Sequence, residues 1–247
     1  MGRALFPRLA ATTETAMTPA IAQFFATHGY VRFPGFYSAK HLASLRQALK
    51  EEWKRLSGAP GLSRSLRTMP AFQQIAKLSS LTQCPGLHQA LVTPVLLGEV
   101  AGLAGRRPAV IQDAHLLLSP PRQGDWTLQR LNWHVDVKGA LPGSLPGIQA
   151  FVLIDDVAQR GGATLALAGS HRMGAAAPDL RDALKQGDPD LIARLSDLHT
   201  TLVEMAGSAG DVFLMDMRVL HTPSINTTNR PRMMATVRFL FDNAPIG

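Results

Sequence analysis

Four side chains in this 247-residue chain have the types and spacing to do chemistry together: His134, Asp136, His221 and Arg232. His134 and Asp136 stand two apart in Leu131-Asn132-Trp133-His134-Val135-Asp136-Val137, a run that reads as a β-strand. Strand side chains alternate faces, so these two point the same way and can share one ligand, while Trp133 and Val135 turn to the other face. His221 lies beyond a second apolar run that follows the tight turn at Gly210-Asp211. Two neutral imidazoles and one carboxylate that leave coordination positions open are the arrangement of non-haem Fe(II) oxygenases. The open positions can take a chelating 2-oxo acid and O2. Such a co-substrate also needs a cation for its far carboxylate, and the planar fork of arginine suits that task. Arg232 follows His221 by eleven residues and opens the last expected strand. A lone His-x-Asp is equally at home on a solvated strand, so the combination carries the argument.

The elements that must position these groups fall into two textures. Up to residue 107 the pattern is helical. Thr18 caps a helix through His28 that Gly29 stops, Tyr30–Phe33 reads as a short strand ending at Pro34-Gly35, and Ser38 caps a helix over Ala39–Leu56. Leu42, Leu45, Leu49 and Trp53 make one apolar stripe on that helix, which is core packing. Residues 57–83 read as a loop with one short helix, and Pro85–Leu103 as helical with a break near Pro94. From Pro108 onward short strands recur between Gly, Pro and Asp: Val110–Leu118, Asn132–Val137, Gln149–Ile154, Thr164–Leu167, Thr201–Met205, Val212–Met215 and Met233–Phe241. One helical insertion, Pro178–Leu195, restarts at Asp188-Pro189. The expectation is a mainly β sandwich or barrel with a helical N-terminal part. Residues 1–17 are expected to be a flexible tail and 18–247 a single domain, with helical support over 18–107 and the β core over 108–242.

Composition narrows the function classes. Hydrophobic residues make up 46% and charged residues 17%, which is globular usage. The net charge of +7 is spread along the chain with few aromatics, so a nucleic-acid partner is not expected. A single cysteine, Cys84, excludes an intramolecular disulfide framework and a thiolate metal site. No apolar run reaches membrane-spanning length, and a soluble cytoplasmic protein is expected.

Taken together the motifs resemble the phytanoyl-CoA dioxygenase family of Fe(II)/2-oxoglutarate-dependent oxygenases. They are Trp133-His134-Val135-Asp136, Gly161-Gly162-Ala163 leading to Ala168-Gly169-Ser170-His171, Gly210-Asp211, His221 and Arg232. The opening Gly29-Tyr30 and Pro34-Gly35-Phe36 fit as well, and the likeness runs over most of residues 18 to 242. The resemblance implies a double-stranded β-helix (jelly-roll, cupin-like) core flanked by helices. It implies His134, Asp136 and His221 as ligands of Fe(II), and Arg232 as the partner of the distal carboxylate of 2-oxoglutarate. Asn226 matches a family asparagine and is expected to shape a turn. Three positions depart from the pattern: Pro223 stands where the family often has a serine, with Ser224 one further on, Val135 replaces a glutamine, and Ala168 a proline. Ser224, Thr164 and Gln112 are candidates for hydrogen bonds to co-substrate or substrate, and Arg238 is a second candidate clamp. His171 and Arg172 read as loop structure, and His115, sharing a face with Asp113 and Leu117, as rim or core.

The implied reaction consumes 2-oxoglutarate and O2, releases succinate and CO2, and oxidises a small molecule. Asp136 favours hydroxylation, desaturation, epoxidation or ring formation over halogenation, for which a small residue stands in the carboxylate's place. Arg130, Lys138, Arg218, Trp126 and Asn132 lie near the triad in sequence and would make a cationic pocket suited to an acidic or carrier-linked substrate. Two other readings are a non-catalytic jelly-roll binding protein and, from the basic charge, a nucleic-acid demethylase with the same triad. The oligomeric state is left open.

Overall fold

Each helix of the N-terminal part begins or ends where the chain supplies a local reason. In the computed structural model, residues 17–137, 144–173, 177–186 and 195–241 are described. Helix α1 (Pro19–His28) is capped by Thr18, whose side chain accepts from Ile21 N, and stops at Gly29 with φ 75°. A Cβ at Gly29 would lie 2.5 Å from both His171 and Val219, so only glycine passes between them. Strand β1 (Tyr30–Phe33) follows, then α2 (Ala39–Ser57), which buries Leu42, Leu45 and Leu49 with Trp53 packed partly against the same cluster.

Two helices occupy the stretch where a loop and one short helix were expected, α3 (Leu62–Arg67) and α4 (Ala71–Leu81). The longer one forms because Ile75 and Leu78, three residues apart, bury one face of it. Helices α5 (Leu87–Leu91) and α6 (Pro94–Ala104) part at Pro94, as the proline requires.

The rest is β structure: β2 (Val110–Ile111), β3 (His115–Ser119), β4 (Gly147–Leu153), β5 (Thr164–Ala168), then α7 (Ala177–Gln186), β6 (Thr201–Glu204), β7 (Val212–Asp216), β8 (His221–Pro223) and β9 (Arg232–Leu240). The large sheet runs β1-β7-β4-β9-β2, with β3 also on β9, and the small one β6-β5-β8, with every pairing antiparallel. The two sheets share one interior, where Phe151, Phe213, Met215 and Met234 of the large sheet meet Ala166, Ala168 and Val203 of the small one. On its other face the large sheet buries Ile148, Ala150, Val152, Leu214, Val237 and Phe239 against the helices. This is the double-stranded β-helix with helical support. Period-2 alternation divides β4, β7 and β9 cleanly between these two layers.

Two further expectations need correction. The strand Val110–Leu118 is two strands. Ile111 pairs with Phe239 and His115 with Thr236, so four steps on one strand face three on the other, a bulge of one residue. The bulge breaks the alternation that would have put His115 on the face of Asp113. Asn132–Val137 belongs to neither sheet. It is extended and makes only isolated bridges, that of His134 to His221 among them, because β8 beside it is only three residues long. The expected helix over 178–195 is α7 at its start, and residues 187–194 lie outside the described residues, as do 1–16 of the expected tail. Among the described residues no helix is long and apolar enough to cross a membrane.

The turn at Gly210-Asp211 ties the helical part to the core. Asp211 is buried and its carboxylate accepts from Gly35 N at 2.7 Å, Ser208 N at 3.0 Å and Arg32 Nη2 at 2.6 Å. Asp211→Ala strands these donors and is expected to cost about 3 kcal/mol, measured as the shift in a urea unfolding midpoint at constant slope. A loss under about 0.5 kcal/mol would mark the turn as self-sufficient.

Candidate metal and co-substrate site

His221 opens β8, and its backbone exchanges two hydrogen bonds with His134, N to O at 2.9 and 3.0 Å. Asp136 N and Val137 N then both reach Met217 O, at 3.0 and 3.3 Å. The first pair sews the extended 131–137 segment to the edge of the small sheet at β8, and the bonds to Met217 fasten its other end to the residue that follows β7 of the large sheet. Trp133 is driven into a cluster with Leu131, Leu165 and Leu220, and its indole N–H reaches Leu128 O at 3.3 Å. His134 and Asp136 are left facing the interior. The result is a cluster in which one ligand atom from each of His134, Asp136 and His221 lies within 4.8 Å of the others.

The tautomers follow from the hydrogen bonds. His134 Nδ1 lies 2.7 Å from Asn132 O and His221 Nδ1 3.0 Å from Val219 O. A carbonyl only accepts, so both Nδ1 atoms carry the proton and both Nε2 lone pairs are free for a cation. Burial pushes the His221 imidazolium down to about 4, against the pull of Asp136, so that ring is neutral at neutral pH.

Asp136 is held from the far side. Arg238 Nη2 donates to its Oδ1 at 2.6 Å, whereas Oδ2 is buried with no hydrogen-bond partner, 3.5 Å from His221 Nε2. One oxygen is therefore spent on the guanidinium and one is offered to a metal. A buried acceptor without a partner is costly, and a divalent cation beside two imidazole lone pairs is the group that satisfies it. The donor set fits such a metal.

Arg232 sits at the start of β9, opposite Ser119 of β3, and is 2% exposed. Its Nε, Nη1 and Nη2 are all buried without a partner, and desolvation lowers its pKa to about 9, which leaves it charged at neutral pH. Planar, charged and unpaired, it has the shape and charge to pair with a carboxylate.

The remaining sequence candidates are placed as follows. Thr164 is buried, on the same face of β5 as Ala166 and Ala168, which line the interior. Gln112 lies beside Arg238 and donates its N–H to Arg238 O at 2.9 Å. Ser224 donates its hydroxyl to Ala163 O at 2.7 Å, so its proton secures the chain after β8. Asn226 shapes the turn before β9, bonding Thr228 and Arg230 O. His171 Nε2 bonds Ala26 O at 3.0 Å, tying its loop to α1. Arg218 is held by Asp216 at 2.6 Å and is not free to line a cationic pocket, while Lys138 lies outside the described residues. A cavity of about 330 Å3 opens elsewhere, between α2, α3, α4 and the segment after β3, with no triad residue in its wall.

Two polar side chains that motif spacing passes over face the same interior: Gln149 on β4 and Thr236 on β9, joined Nε2 to Oγ1 at 2.8 Å. The available signal was a single amide in the otherwise apolar strand Gly147–Leu153.

Fold and site together define a double-stranded β-helix protein with a His-Asp-His cluster and a buried arginine facing its interior. Residues 25–234 match the phytanoyl-CoA dioxygenase (PhyH) family, and the chain belongs to it. Solved structures share the fold at low identity. The α-ketoglutarate-dependent carbocyclase SnoK from nogalamycin biosynthesis is 20% identical, over 93% of this chain and 86% of its own, with a TM-score of 0.63. EctD from S. alaskensis, solved with 2-oxoglutarate and 5-hydroxyectoine, is 19% identical over 98% and 83%, with a TM-score of 0.64. AviO1 from Streptomyces viridochromogenes Tue57 is 17% identical over 94% and 99%, with a TM-score of 0.61. No curated protein sequence matches the chain at a significant level.

Arg238→Met should weaken binding of a divalent metal such as Co(II) by about 10–100-fold, read by chelator competition, because Asp136 loses the partner that fixes its free oxygen. An unchanged affinity would show that the backbone alone orients the carboxylate.

Proposed function

We propose that the protein is a non-haem Fe(II) oxygenase that consumes 2-oxoglutarate and O2 and oxidises, most simply hydroxylates, a small-molecule substrate. The observation that carries this reading is Arg232. A guanidinium that is 2% exposed and wholly unpartnered costs stability unless an anion joins it, and it faces the interior that holds a three-ligand cluster. A chelating 2-oxo diacid satisfies both ends at once. Membership of a dioxygenase family and a fold shared with 2-oxoglutarate-dependent enzymes support the same assignment.

In this reading residues 18–247 work as one oxygenase domain. His134 and His221 would hold the iron through Nε2 and Asp136 through Oδ2, and Arg232 would grip the distal carboxylate of 2-oxoglutarate bidentately. When bound, iron and 2-oxoglutarate supply the O2-dependent oxidation, with succinate and CO2 as co-products. The chain's own contribution is geometry and dryness. Arg238 keeps Asp136 to one free oxygen, so positions stay open. Phe151 presents its ring to His221 at 6.0 Å between centroids, and Trp133 closes the cluster from behind, which excludes bulk water. Because Asp136 fills the place a halide would need, hydroxylation is preferred to halogenation. Thr164 and Gln112 would contact co-substrate or substrate.

Anaerobic addition of Fe(II) and 2-oxoglutarate should produce a metal-to-ligand absorption band that His134→Ala abolishes. A wild-type protein without the band would leave a binding module as the better reading. Arg232→Met separates the two halves of the site. It should leave Co(II) affinity within about twofold, weaken 2-oxoglutarate binding by a hundredfold or more, and raise the melting temperature of the ligand-free protein, since a buried unpaired charge is gone. A lower melting temperature would mean that the guanidinium has partners in the free protein.

A further inference from the structure

The hydrogen bonds around Gln149 fix which way its amide points. Thr236 has one hydroxyl proton, and Oγ1 donates it to Ala150 O at 2.9 Å. Toward Gln149, 2.8 Å away, Oγ1 can therefore only accept, so the amide nitrogen faces Thr236 and the amide oxygen faces away. That oxygen, Oε1, is buried without a partner on a residue that is 3% exposed. Strand register says where it lies. Gln149 stands opposite Arg238 on β9 and Met215 on β7, on the face of β4 that also carries Phe151, whose ring meets His221. The orphan acceptor therefore borders the metal cluster, at the Arg238 end of β9. Arg232 lies six residues away along that strand, about 20 Å between backbones.

We propose that Gln149 is a substrate-recognition residue, and that the substrate places a neutral O–H or N–H donor, that of a hydroxyl or a carboxamide, against its Oε1. The inference rests on the function proposed above and names the substrate class of the same site. Three observations select a neutral group. The guanidinium of Arg238, directly opposite Gln149, presents only N–H donors and gives an ammonium nothing to bond. Its charge is already matched by Asp136 at 2.6 Å, so it is no free receptor for a carboxylate. Its Nε is buried without a partner, which adds a donor beside the orphan acceptor, and hydroxyls and carboxamides both donate and accept. A site that leaves a buried acceptor unmet rejects an analogue lacking the donor far better than it rejects one lacking a methylene.

The test is a succinate-release screen of the Fe(II)- and 2-oxoglutarate-loaded protein against matched compounds: primary carboxamides with their N,N-dimethyl forms, alcohols with their methyl ethers, and the corresponding carboxylates. Wild type is expected to prefer at least one donor-bearing member over its capped partner by about tenfold or more. In Gln149→Met that preference should fall to under about twofold, while the anaerobic absorption band and 2-oxoglutarate affinity stay unchanged. Thr236→Val, which frees the amide to turn, should give an intermediate loss at full metal loading. A preference that survives in Gln149→Met, a preference for carboxylates or capped members, or a screen in which no donor-bearing member stands out overturns the proposal. A Gln149→Met protein that only melts earlier, with discrimination intact, assigns the residue to cross-strand structure. If wild type shows no absorption band, the oxygenase reading fails and the inference falls with it.

Discussion

The site depends on two backbone hydrogen bonds, those exchanged between His134 and His221 at 2.9 and 3.0 Å. The ligands come from segments far apart in the chain, and neither segment is a long strand. One bridge sets their register, and a slip of one residue would send Trp133 and Val135 inward and the two ligands outward. Packing enforces the choice. Trp133 is buried among leucines from β5 and from the turn before β8, so the correct register is also the one that hides the indole. Hydrophobic burial and metal-ligand geometry are thus selected by a single event.

The interior of the sandwich carries polar groups left incomplete. Arg232, Asp136 Oδ2 and Gln149 Oε1 are buried without partners, although buried polar atoms are ordinarily satisfied. Each omission has a different sign: a cation, an anionic oxygen and a neutral acceptor. In the proposed reading they would match an anion at one end, a metal in the middle and a neutral donor at the other. The fold bears the cost of these groups through the two apolar layers that flank the large sheet.

Much of this was legible in the chain because it rests on local rules. Thr18, Ser38 and Pro94 mark helix ends through their own hydrogen-bonding or steric limits, and alternation assigns the faces of β4, β7 and β9. The residues His134, Asp136, His221 and Arg232 could be singled out because ligand-type groups at fixed offsets from strands and turns are rare. What escaped the reading is nonlocal. The bulge between β2 and β3 exists only relative to β9, and no feature of residues 111–115 alone announces it. The extended 131–137 segment has a strand's pattern but too short a partner, and partner length cannot be read from the segment itself. Gln149 and Thr236 are unremarkable until β4 and β9 are laid side by side. Arg238 looked like a second clamp for the co-substrate, whereas the cross-sheet contact gives it to Asp136.

That contact has a mechanical side. The two imidazoles sit at the edge of the small sheet, whereas Arg232, Gln149 and Arg238 belong to the large one, which the helices stiffen. The Asp136 end of the 131–137 segment is held to the large sheet by its N–H on Met217 O and its carboxylate on Arg238, the His134 end to the small one, so the segment is a tie rod between two plates. Anything that loosens the rod lets the plates drift and widens the space in which reacting groups must meet. The spacing of the sandwich and the directional hold on the metal are, in this architecture, one adjustable quantity.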